Sequence, residues 1–143
     1  MKNIPMITVA SVIVLVIIGT VFANRDDAAT PAVGVLPADI LENLSREALA
    51  GKPAYERSCA SCHGVTGEGT AMGPPLLHQY YNPGHHADAA FFRAVRNGVP
   101  AHHWRFGDMP KRPEVTVEEL PRIVKYVREL QEAAGIFFEP HTM

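Results

Sequence analysis

The chain is poor in the residues that staple small proteins: two cysteines in 143 residues. A zinc site of the usual kind would need a second cysteine pair or a spaced histidine pair beside them. A disulfide between residues three apart would close too small a loop to stabilise much. A strong excess of charge of either sign is also missing, with 13 basic and 15 acidic residues. The net charge of −2 gives no basic footprint for nucleic acid. There is no internal repeat, no convincing strand pair, and no nucleophile–base pair or acid–base dyad that would point to substrate chemistry.

What is present is concentrated in five residues, Cys59-Ala60-Ser61-Cys62-His63. This is the C-x-x-C-H spacing of covalent haem attachment. Two thiols about one helical turn apart can add to the two vinyl groups along one haem edge. The histidine that follows is carried under the porphyrin, where its imidazole can bind iron. A redox dithiol is the competing reading, but it should follow a strand and open a βαβ unit, and no strand-rich pattern precedes Cys59. The expectation is therefore one covalent haem c on Cys59 and Cys62, with His63 as an axial ligand.

Residues 4–23 carry no charge, with Lys2 before them and Arg25, Asp26 and Asp27 after. Twenty helical residues span about 30 Å, the thickness of a bilayer core. The expectation for 1–23 is a membrane anchor with the N-terminus inside. The alternative is a cleaved signal, with Val21 and Ala23 as small residues before the cut. Either places the remainder on the exported side of a bacterial cytoplasmic membrane, in the periplasm, where such haem attachment is completed. Residues 24–47, rich in Ala, Pro and Asp at their start, read as a linker, although Ile40, Leu41, Leu44 and Ala48 have helical spacing. The folded domain is expected over 48–134, with a tail at 135–143.

Within that domain the spacing predicts a helix over 52–61 with Pro53 in its first turn. A second is predicted over 88–97, with Asp88 as N-cap and Gly98 as stop. A third carries the apolar stripe Leu120, Ile123, Val124, Val127 and Leu130. Thr116-x-x-Glu119 before it resembles a capping box, and Pro121 should delay its regular part by a few residues. Three short helices and long Gly- and Pro-rich loops bury little apolar surface for a domain this size. A haem would act as the missing core element.

A haem iron on His63 leaves one axial position. Met109, in Gly107-Asp108-Met109-Pro110 before the last helix, is the best candidate. Met72 and the other histidines are alternatives, and ordinary core packing is the competing role for a methionine.

At this point the sequence resembles the class I c-type cytochromes over about residues 49–131. Gly51, Tyr55 and Cys59-x-x-Cys62-His63-Gly64 look like that family's first helix and haem motif. Gly73-Pro74-Pro75-Leu76 looks like its G-P-x-L segment, whose proline carbonyl commonly accepts the Nδ1–H of the proximal histidine. Met109-Pro110 matches the axial methionine, and Tyr126-Val127-x-x-Leu130 the last helix, whose aromatic residue crosses the first helix at the glycine. The resemblance implies an all-α fold of three to four short helices around one haem with His63/Met109 ligation. It also implies one-electron transport without catalysis, and transient redox partners in an electron-transport chain. Membrane contact is expected through the N-terminal segment only, and no nucleic acid.

One feature is not explained this way. His85-His86 precedes the middle helix and His102-His103-Trp104-Arg105 follows it. The plain expectation is solvated loop residues or contacts to the haem propionates, with Trp104 and Arg105 as donors. A second copper or zinc site from His85, His86, His102 and His103, in a metal-handling or sensing module, is the sharper alternative. A histidine replacing Met109 at the iron is the third.

Overall fold

The computed structural model describes Leu36 and residues 38–140. The expected anchor or signal at 1–23 and the start of the expected linker lie outside these residues. Among the described residues no helix is long and apolar enough to cross a membrane. The architecture there is all-α, as expected: α1 (Ala38–Glu42), α2 (Arg46–Ser58), α3 (Ala60–His63), α4 (Asp88–Asn97) and α5 (Glu119–Ala133), with a 3-10 turn at Gln79–Tyr81.

α2 and α5 make the main helix–helix contact. α2 buries Ala48, Gly51, Ala54, Tyr55 and Ser58, one stripe at helical spacing. α5 answers with Leu120, Ile123, Val124, Val127 and Leu130. The helices close at Gly51, where a Cβ would overlap the backbone carbonyl of Arg122. Tyr55 and Tyr126 meet beside that point, ring centroids 5.2 Å apart. Gly51→Ala should therefore force the backbones apart and cost about 2–3 kcal/mol, the usual penalty of overpacking. The check is a lower urea midpoint at unchanged slope. An unchanged midpoint would show that the helices can slide past the added methyl.

Several element boundaries differ from the sequence expectation. α2 begins at Arg46, six residues before the expected start, so Pro53 sits inside the helix rather than in its first turn. The reason is tertiary. Ser45 caps the helix through Ala48 N–H, and Glu129 of α5 accepts from both Ser45 N–H and Ser45 Oγ at 2.7 Å. The helix then stops at Ser58, short of the expected 61. α4 begins at Asp88 itself, after Ala87. Asp88 does not cap it because its carboxylate is engaged by Arg128 at 2.8 Å. At α5 the Thr116–Glu119 capping box forms in both directions, at 3.1 and 3.2 Å. Pro121 falls in the first turn, where its missing N–H is not needed, so the helix is not delayed.

The expected linker over 24–47 is, in its described part, built into the packing. Leu36 is buried and Ile40, Leu41 and Leu44 pack on the same core cluster. The tail from 135 also returns to the core. Gly135 turns at φ 77°, Ile136 N–H bonds the carbonyl of Gln131 at 2.8 Å, and Ile136 is buried.

Candidate functional site

The cysteine motif straddles a break between two helices. Cys59 ends α2, its N–H bonded to the Tyr55 carbonyl at 2.8 Å, with φ −127° interrupting the helix. Its own carbonyl then accepts from Cys62 N–H at 3.1 Å and His63 N–H at 3.0 Å, which winds α3. The turn after it is held by two tyrosines. Tyr55 Oη donates to the Gly64 carbonyl at 2.9 Å and Tyr126 Oη to the Val65 carbonyl at 3.2 Å. Cys59 and Cys62 are free and half-buried. Burial pushes the Cys59 thiol up to about 11. A redox dithiol needs the opposite, a thiol whose pKa is lowered to supply thiolate.

His63 is oriented by the loop that follows. Its Nδ1 lies 2.8 Å from the Pro74 carbonyl oxygen. A carbonyl only accepts, so Nδ1 carries the proton and Nε2 keeps its lone pair. Burial holds the imidazole below its ordinary pKa, against the opposing Pro74 bond, and Arg112 adds to the lowering. The ring is thus neutral, the form that binds a metal. Gly73 lets the loop lie on Cys62, since a Cβ there would meet the Cys62 side chain at 3.0 Å.

Cys59, Cys62, His63 and Met109 all line one cavity of about 430 Å³. Its walls include Leu76, Phe91, Val95, Val99, Ile123 and Val127, from α4, α5 and the loops between. Met109 is positioned by an isolated two-bond bridge: Met109 and Val99 exchange N–H···O bonds of 2.9 Å in both directions. Met72 also lines the cavity but is 70% exposed, its N–H bonded to Thr70 Oγ1 inside the Thr70–Gly73 bridge.

These residues fit a haem. Two thiols, an imidazole with a free Nε2 and a thioether face one largely apolar cavity. Trp104 lines it too, its Nε1 buried against the Tyr81 hydroxyl without a partner in hydrogen-bonding geometry. A buried N–H of this kind suits a haem carboxylate. Arg105, paired with Trp104 in the sequence reading, is exposed.

The four histidines of the middle loops do converge. His85, His86 and His103 bring one ring nitrogen each within 4.8 Å of one another, and His102 lies beside His103 at 4.3 Å between ring centroids. His86, His102 and His103 also line the cavity. Burial lowers the pKa of His86 and His103, and the neighbouring imidazoles add to it.

Two residues the sequence reading passed over organise this side of the molecule. Arg128, buried on α5, donates to Asp88 Oδ1 at 2.8 Å, the Tyr81 carbonyl at 2.9 Å, Gln131 Oε1 at 2.7 Å and the His86 carbonyl at 2.5 Å. Gln131, fully buried, donates to the carbonyls of Leu76 and Tyr81 at 2.9 and 3.2 Å. The signal was available. Val124, Val127, Arg128 and Gln131 follow the i, i+3, i+4, i+7 spacing of one helix face, so the apolar stripe already placed both polar side chains inside.

Residues 48–131 match the family model for cytochrome c. Neither a curated protein nor a solved structure matches the chain.

Proposed function

The chain belongs to the cytochrome c family, whose members bind covalent haem c and carry electrons, and from that premise we propose a one-electron carrier with His63 and Met109 as its two axial ligands. The observation that carries the ligand assignment is that both side chains line the cavity of Cys59 and Cys62, each on a backbone fixed by hydrogen bonds. The haem supplies a one-electron Fe(III)/Fe(II) couple, and a methionine ligand raises its potential relative to a second histidine. The chain's part is to position and to exclude. Cys59 and Cys62 tether, and Pro74 holds the His63 proton on Nδ1. Leu76, Ile123 and Val127 keep water from the inner wall. Met109 takes the position a substrate would need.

Met109 is preferred over the histidines as second ligand because Val99 holds its backbone at the cavity wall through both N–H and carbonyl, whereas His86 and His103 converge with His85 on one another. At the rim, Met72 and Phe106 are 70% and 43% exposed. They suit the small, transient contact that redox partners make. Residues 4–23, as anchor or signal, support placing the domain on the exported side of the membrane.

Expressed where haem c is matured, the protein should be heavier than its polypeptide by one haem and keep its colour through acid–acetone extraction. When oxidised it should be low-spin, with a methionine–iron charge-transfer band. Complete extraction of the haem would end the covalent reading, and absence of that band would end the Met109 reading.

A further inference from the structure

The three histidines that meet beside the haem cavity come from two loops, 82–87 ahead of α4 and 98–110 after it, and the rings of His86 and His103 are held from outside the cluster. His86 donates from Nδ1 to the Tyr80 carbonyl, so Nε2 is the atom it can offer to a ligand. Tyr80 stacks on His103, ring centroids 4.6 Å apart and planes at 25°. Arg128 grips the His86 carbonyl and Asp88, holding the His85–His86 segment against α5. This is the outer support that metal-binding imidazoles need to keep their orientation.

The spacing inside the cluster is that of a coordination sphere. His85 Nε2 and His103 Nε2 lie 3.3 Å apart. An ion with metal–nitrogen bonds of about 2.0–2.1 Å in tetrahedral geometry holds its donors about 3.3–3.4 Å apart. One edge of the tetrahedron is therefore already in place. The third nitrogen, from His86, is within 4.8 Å of both. The donor set is three imidazoles without a carboxylate, which suits copper and zinc rather than magnesium or calcium.

We propose that His85, His86 and His103 form a second metal site, distinct from the axial positions on the haem, that takes one copper or zinc ion through three imidazole nitrogens. Copper binds the more tightly of the two, following the general order of divalent affinities. Water completes the coordination. Because His86 and His103 also line the haem cavity, the bound charge lies beside the redox centre and raises its measured potential.

The test uses haem-loaded protein, stripped of loose metal by chelation and titrated by calorimetry with copper(II) and, separately, zinc(II). One equivalent of each should bind, copper more tightly, and the copper form should show imidazole-nitrogen couplings in its paramagnetic resonance spectrum. The variant His85→Gln, at a residue outside the haem cavity lining, should lose this binding while its haem spectrum stays that of the parent, which separates failure of this site from failure of the haem assignment. Uptake of less than one equivalent by the parent protein would overturn the proposal whatever the variant does. So would one-to-one binding that survives unweakened in the His85→Gln variant.

Discussion

Met109→Ala should leave the haem attached and change everything about its sixth position. The iron should become open to carbon monoxide and imidazole, and the methionine charge-transfer band should vanish. The potential should fall by on the order of 0.1 V or more, out of the roughly 0.8 V that axial ligation spans. The argument is one of placement. Met109 is half-buried, lines the cavity with His63, and is held on both its N–H and its carbonyl by Val99. The chain beyond is pinned by Arg112 N–H to the Val95 carbonyl at 2.8 Å. Gly98 makes that crossing possible, since a Cβ there would meet the Met109 carbonyl at 2.6 Å. Met72→Ala is the control. That side chain lies at the exposed rim, so ligand access and potential should not move. If Met72→Ala opens the iron and Met109→Ala does not, the axial sulfur belongs to the other loop.

Arg128→Met should be the most destabilising polar substitution among the described residues, at about 2–6 kcal/mol for the two oxygens left without a donor. Methionine fills similar space but donates nothing. The His86 carbonyl and Gln131 Oε1 lose their donor, at about 1–3 kcal/mol for each buried group left unpaired. Tyr81 keeps a bond from Gln131 at 3.2 Å, and the guanidinium stacked 4.8 Å from the Phe91 ring centre is lost as well. The ion pair itself contributes little, because the Asp88 side chain is 63% exposed and screened by solvent. Asp88→Asn should therefore cost less than about 1 kcal/mol. Chemical denaturation of the two variants in the haem-loaded state decides the matter. Equal losses would mean that the charge pair, not the backbone carbonyls, is what Arg128 supports.

The parts of this protein that were legible in its sequence are those encoded within a turn or two of chain. Cys59, Cys62 and His63 declare the cofactor by spacing alone. The Thr116–Glu119 capping box and the 120–130 stripe specify α5, and both formed as read, because each depends only on the helical repeat of neighbouring residues. Boundaries went astray where a distant residue decided them. Glu129 fixes the start of α2 from 84 residues away, and Arg128 claims the Asp88 carboxylate from 40. The histidines show the same division. The sequence supplied two His-His pairs and no reason to bring them together, since imidazoles sixteen or more residues apart share no local period. Packing of the 80–88 segment onto Arg128 and Gln131, and closure of the 98–110 loop by the Val99–Met109 bridge, set His85 against His103. A polar side chain on a buried helix face must find its partners wherever the fold offers carbonyls. That requirement, met by Arg128 at the carbonyls of Tyr81 and His86, is what fixes the His85–His86 half of the cluster.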